Sequence, residues 1–190
     1  MPPGEPPAPT GVLQIMSPLS ELSAQQEQAW DHVLVSAAQT KSGPVRGLSL
    51  AHAATAMESK FWRAYRVARA SRIKDSGSLT FISGFLSERP AGTAVLQGAI
   101  NAALESLARG LALEFASIRV NAVSPGMIET PICDGLPPGK RKTLFESTAA
   151  QLPIGRIGQP EDIASAVLFL MKTSFATGST VRVDGGGVIA

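Results

Sequence analysis

Apolar residues run along this chain in two alternating rhythms. Short β-branched runs, apolar on both faces, are separated by longer stretches in which apolar positions recur every three or four residues. HVLVSAA (32–38), SLTFIS (78–83) and IRVNAVS (118–124) have the first character, that of strands buried inside a parallel sheet. VLQIM (12–16) is a shorter run able to form a strand, and STVRVDGGG (179–187) reads as a last strand entering a glycine turn. The helical rhythm covers 50–72, with Met57, Phe61, Tyr65 and Ala68 on one stripe. It returns over 93–115, with Leu96, Ile100, Ala103, Leu104, Leu107, Leu111 and Phe115 on one side. Residues 140–152 predict a short helix. Residues 160–172 predict a well-bounded one, with Pro160 in its first turn, acids following and Lys172 near its end.

Between these elements, SELSAQQEQAW (20–30) is helix-compatible, with Ser20 as its N-cap. DSG (75–77) reads as a turn into its strand, and Pro125-Gly126 ends the next one. Strands alternating with helices of this length predict βαβ units, hence an α/β fold with a parallel, doubly wound sheet and flanking helices. No internal repeat is visible.

Composition narrows the classes. The 190 residues suit one domain, taken as 12–190, behind a leader over 1–11 whose first ten residues hold five prolines and read as disordered. Hydrophobic content of 44% and charged content of 17% fit a globular chain. A net charge of +2 gives no reason to expect a nucleic-acid partner, and no run of 18 apolar residues suggests a membrane span. Cys133 is the single cysteine, so no internal disulfide forms, and a reducing, cytoplasmic setting is expected. His32 and His52 lack metal-ligand spacing, and no metal site is expected.

Open α/β sheets bind ligands at the carboxyl ends of their strands. In a dinucleotide-binding sheet the first strand leads into a glycine-rich turn that cradles the pyrophosphate. Gly4, Gly11, Gly43 and Gly47 build no such turn. The sheet is therefore expected to lack most of its first βαβ unit.

From about residue 30 onward the chain resembles the short-chain dehydrogenase/reductase family, a group of nicotinamide-dependent oxidoreductases. IRVNAVSPGMIETP (118–131), IGQPEDIASAVLFL (157–170) and TGSTVRVDGG (177–186) carry the resemblance, in the family's order. It implies a Rossmann-like sheet, NADP or NAD as cofactor, and a small carbonyl or alcohol as substrate. It also implies a homo-oligomer built through helices 50–72 and 93–115. By the same resemblance, the lack of most of the first βαβ unit leaves HVLVSAA at an open edge. VLQIM pairing there, a covering partner chain, or a truncated product that folds poorly are the three outcomes. The strand ending Val35-Ser36-Ala37-Ala38 stands where the family has Asn-Asn-Ala-Gly, which places Ala37 and Ala38 beside the cofactor. Pro125, Gly126 and Thr130 match the segment that lies along the nicotinamide and cofactor phosphate, and Asp184-Gly185-Gly186 matches a structural turn.

The family's catalytic group is altered. Its Tyr-x-x-x-Lys pair falls on Gln97 and Asn101, an i, i+4 spacing that keeps both on one helix face. Its serine falls on Gly84, with Ser83 adjacent, and its asparagine on the preceding long helix falls on Lys60. An amide has no proton to give near neutral pH, so Gln97 cannot serve as a general acid. Lys60 has two readings, a phosphate- or proton-handling lysine at the pocket or one member of a solvated row with Arg63, Arg66, Arg69 and Arg72; the row is the expectation. Ser83 reads as a buried strand end that takes over the serine role only if the register shifts by one. Two functions remain: an oxidoreductase working through atypical residues such as Lys60 or Ser83, or a non-catalytic relative that binds a ligand or supports a complex.

Overall fold

The computed structural model describes residues 12–14, 29–36, 38–130, 135 and 137–190. The proline-rich leader, most of SELSAQQEQAW, Ala37 and Cys133 lie outside the described residues. Five parallel strands form one sheet in sequential order: β1 (Val12–Gln14), β2 (Trp30–Val35), β3 (Ile73–Ile82), β4 (Arg119–Pro125) and β5 (Thr180–Val183). Between β2 and β3 run helix α1 (Leu50–Met57), a π-helical turn (Glu58–Trp62) and helix α2 (Arg63–Ala70). A short 3₁₀ turn (Phe85–Ser87) and α3 (Val95–Glu114) join β3 to β4, and α4 (Pro138–Gln151) and α5 (Pro160–Lys172) join β4 to β5.

The open edge of β2 is met by β1, with Val12 opposite His32 and Gln14 opposite Leu34. The first of the outcomes named for that edge is seen: the VLQIM segment pairs there over three residues.

The sheet is covered on both faces. On the first, Val33, Val35, Leu79, Phe81, Val120 and Ala122 pack against Ala64, Val67, Leu104, Ala108 and Leu111 of α2 and α3. On the second, Val123 packs against Val167, Leu170 and Met171 of α5. Burying these side chains fully contributes about 1.5–3 kcal/mol each for the larger aliphatic ones and sets the sheet's register, because a one-residue slip would reverse both faces.

Three details depart from the sequence reading. The DSG turn is a bulge inside β3: Trp30 pairs with Ile73, but His32 already pairs with Ser78. The extra residues loop out with Ser76 at a positive φ of 66°, and Ser76 donates its N–H to the Ser117 carbonyl. The stripe expected over 50–72 also shifts. Tyr65 is exposed, while Ala56, Ser59, Ala64, Val67 and Ala68 are buried. A π turn holds an extra residue per turn, so a period of 3.6 cannot follow the buried face through it. Finally, the long helix ends at Ala70 because Ser71 is extended.

The C-terminal frame is held by side chains that cap loose ends. Arg119, at the start of β4, donates to the carbonyls of Leu170 (2.5 Å), Met171 (2.8 Å) and Thr173 (2.8 Å) at the end of α5. Those carbonyls have no helical partner and carry the negative end of the helix dipole. Asn121 braces the following loop, donating to Ala176 O and accepting from Ser179 N. At the other end of α5, Asp162 accepts the Gln159 N–H at 2.7 Å and pairs with Arg156 through two bonds. The Arg156 guanidinium and that N–H hold the Asp162 carboxyl far below the usual range.

Candidate functional site at the carboxyl ends of the strands

Parallel strands end together, so Ala38, Ser83–Gly84, Pro125–Gly126 and Asp184 all lie along the carboxyl edge of the sheet. Helix α3 begins close to this edge because Gly98 lets it approach the 3₁₀ turn. A Cβ at Gly98 would stand 2.7 Å from the Leu86 carbonyl oxygen. The buried face of α3 then carries Gln97, Asn101 and Glu105 in successive turns.

Lys60 completes the cluster from the opposite helix. Its Nζ donates to Asn101 Oδ1 at 2.6 Å and to the Ser83 carbonyl at 2.8 Å. The solvated-row expectation is therefore corrected: Arg69 and Arg72 are exposed, but Lys60 turns inward. The physical cause is the π turn, which changes the helix phase at residues 58–62 and also buries Ser59. Ser59 ties this turn to the loop after β2, accepting from Gln39 N and donating to Gln39 O. Burial lowers the Lys60 ammonium to a pKa of about 8, against the attraction of Glu105, which acts to raise it.

The remaining hydrogen bonds show which groups are already engaged. Ser83 Oγ donates to Glu105 Oε1 at 2.8 Å and to Val123 O, and Ser87 Oγ donates to the same carboxylate at 2.7 Å. Ser83 is thus the buried strand end the sequence suggested, its hydroxyl turned toward Glu105. Gln97 Nε2 donates to the Lys41 carbonyl, which fixes the amide's orientation and leaves Oε1 buried without a partner among the described residues. One position beyond the Ile82–Val123 pair, level with Ser83, Ser124 Oγ is also buried and has no partner among the described residues. Gly84 matters for shape: a Cβ there would come within 2.7 Å of Asn101 Nδ2, so the amide occupies the space a side chain would take.

The structure thus brings Gln97, Asn101, Ser83 and Lys60 together. Pro125 and Gly126 sit further along the same edge, where a Cβ at Gly126 would stand 2.7 Å from the Asp184 Cα. Asp184 accepts the N–H groups of Gly186 and Val188, which confirms the Asp-Gly-Gly segment as a structural turn. Thr130 is half-buried beyond Glu129, whose carboxylate is held below its usual range by Gln159 and Arg141. A cavity of about 270 Å³ lies at the end of β5, lined in part by Met127, Ile154 and Asp184, and shares no residue with the Lys60 cluster. Among the described residues, Gln97 Oε1 in the cluster and Ser124 Oγ beside it are buried without partners, as are the hydroxyls of Ser71, Thr80 and Thr180 elsewhere. Glu105, Ser87 and Gln39 were not foreseen; Glu105 lay one turn beyond Asn101 on the same face, which was signal enough to find it.

The likenesses to known proteins agree with this geometry. A family model described as enoyl-(acyl carrier protein) reductase matches residues 16–187. A short-chain dehydrogenase/reductase of Stachybotrys chlorohalonatus is 41% identical over 113 residues, 59% of this chain and 44% of that protein. A tropinone reductase homolog of Arabidopsis thaliana is 34% identical over 139 residues, 71% of this chain and 51% of that one. The chain spans about half the length of the curated relatives it matches. A crystal structure of a small-chain dehydrogenase in complex with NADPH matches with a TM-score of 0.83 and 37% identity, over 85% of this chain and 75% of that one. A short-chain dehydrogenase/reductase from Brucella melitensis, described as a glucose/ribitol dehydrogenase, gives 0.80 at 29% identity over 88% and 69% of the two chains. With a parallel sheet of this order and a family match over most of its length, the chain belongs to the short-chain dehydrogenase/reductase family of oxidoreductases.

Proposed function

We propose that this chain carries a nicotinamide-dependent carbonyl/alcohol site of altered chemistry, in which the cation comes from the helix opposite the family's usual one. The observation that carries the reading is the buried Lys60 ammonium, bonded to Asn101 Oδ1 and Ser83 O at the carboxyl edge of the sheet. The family positions for lysine and asparagine are here occupied by Asn101 and Lys60, so a positive charge is kept between the same two helices.

The residues present suit the nicotinamide end of NADP or NAD. Gln97 Oε1, buried and without a partner, suits a ribose hydroxyl or a carboxamide N–H. Thr130 offers a hydroxyl, Pro125–Gly126 a tight strand end, and Ala37 and Ala38 small side chains beside an adenosine. Among the described residues no glycine-rich turn serves the pyrophosphate. When bound, the cofactor supplies or accepts a hydride. The chain's own residues orient the substrate oxygen and keep a cation near it.

The loss of the phenol predicts weak turnover, since positioned acid–base groups contribute about 10²–10⁴ in rate. The second reading, a non-catalytic relative, is favoured by Gln97, which is bound to the Lys41 carbonyl and has no proton to transfer. Outward Trp62 and Tyr65, stacked edge to face at 5.9 Å, support self-association through the helices at 50–70 and 95–114. Among the described residues no helix is long and apolar enough to cross a membrane.

Fluorescence titration with NADPH and NADH, followed by a carbonyl panel, separates the readings. Saturable binding with slow turnover is expected. Binding without turnover favours the non-catalytic relative, and no binding at millimolar cofactor sinks both cofactor-based readings.

A further inference from the structure

We infer that Asn101 Nδ2 and Lys60 Nζ form a paired donor site for one carbonyl or alcohol oxygen, with Lys60 as the group that exchanges the proton. The inference rests on the reading above for its cofactor, but its geometry stands on this chain alone.

An ammonium has three N–H bonds, and Lys60 spends two of them on Asn101 Oδ1 and Ser83 O. The third is left for a ligand. Those bonds also fix the Asn101 amide: Oδ1 faces Lys60, so Nδ2 is the free end, and among the described residues it has no acceptor. Asn101 is only 4% exposed, so this is a donor held in a nearly closed space. Nδ2 fills the room above Gly84 that a side chain would otherwise take. From the 2.6 Å bond and amide dimensions, the two nitrogens lie within about 5 Å of each other. Donors that close can share one acceptor oxygen at ordinary hydrogen-bond lengths.

The charge environment favours a proton exchange at Nζ rather than a fixed cation. From α3 the Glu105 carboxylate acts on Lys60, but it is held by the Ser83 and Ser87 hydroxyls. From β3 only the neutral Ser83 carbonyl reaches it, and the loop after β2 meets α3 through the Lys41 backbone, not its ammonium. The step balances simply. As hydride reaches the carbonyl carbon, the C=O electron pair moves to oxygen, which takes a proton from Nζ. A bound nicotinamide would supply the electron pair, and Lys60 would be left as a neutral amine that water recharges.

The first test needs no cofactor. The full chain is incubated at pH 7.5 with cyclohexanone and cyanoborohydride. A lysine amine adds to the carbonyl carbon, water leaves, and the reductant delivers hydride to the imine, so the modified lysine can be mapped by mass spectrometry. Lys60 is expected to react at least tenfold ahead of Lys74, Lys140, Lys142 and Lys172. Equal or lower reactivity would overturn the site. The second test uses NADPH with the same ketone. Reduction is expected to fall as pH rises through about 8, the pKa of Lys60. Lys60→Arg, which keeps the charge but releases no proton, is expected to slow reduction at least 100-fold with NADPH affinity preserved. An unchanged rate and pH profile in that variant would overturn the proton role. Absence of NADPH binding by the wild-type chain would instead sink the cofactor reading, while the labelling result still decides the oxygen site.

Discussion

The β4–β5 side of the sheet and the end of β3 are built on different terms. At β4 and just beyond β5, three bonded polar side chains serve the frame. Asp184 holds its own turn, Asn121 braces a loop, and Arg119 stops a helix. Around the end of β3 a cation, two amides and a carboxylate crowd together, and among the described residues Gln97 Oε1 and the neighbouring Ser124 Oγ are buried without a partner, as are the hydroxyls of Ser71, Thr80 and Thr180 elsewhere. Buried polar atoms without partners destabilise a fold by about 1–3 kcal/mol each. Such atoms occur in the frame as well, so the site is marked instead by the buried Lys60 cation bonded to Asn101.

That contrast yields four measurements, taken in order of effect. Lys60 is the sharpest. Its folded pKa of about 8 lies below its ordinary 10.5, so between these values the unfolded chain binds more protons than the folded one. Stability therefore rises with pH across that window, by up to roughly 3 kcal/mol, and is lost again as pH falls through 8. Urea unfolding at pH 7.5 and 10 is expected to show this rise in the wild type and to lose it in Lys60→Met. A flat wild-type profile would mean that the ammonium is not buried.

Arg119→Met comes next, at about 2–3 kcal/mol of lost stability, because several carbonyls at the end of α5 lose a charged donor. A loss below about 0.5 kcal/mol, the scale of ordinary surface changes, would show that water serves them equally well. Gly126→Ala follows at about 1–2 kcal/mol, since its Cβ meets backbone that cannot swing aside. Circular dichroism melts against wild type would measure it. Arg156→Ala should be the smallest: its pair with Asp162 is solvent-exposed, so the urea midpoint is expected to match wild type within error.

How much of this was legible in the sequence follows the same division. The frame was: α5 spans 160–172 as read, because Pro160 and the acids after it give a helix start that nothing nearby contradicts. The parallel sheet was legible as well, from runs apolar on both faces. The β3 bulge was not, because DSG carries a turn signal whether the chain turns between strands or loops out within one. Lys60 was misplaced for a deeper reason. Its spacing from the arginines fits a regular helix, and no residue in ESKFW announces a π turn. The positions of Gln97 and Asn101 could be read from the motif, but what they would touch depended on a lysine whose direction the period concealed.

The π turn has one more consequence, which concerns length rather than composition. Because α2 is anchored by Val67 and Ala68 in the core, removing Phe61 or Trp62 would rotate everything before it by about 100°. Lys60 and Ser59 would swing away from Asn101 and the Gln39 loop, although no side chain had been replaced. In this chain a single-codon deletion is the gentlest lesion that would disconnect the two helices at the site, and an alignment that closes such a gap would conceal why.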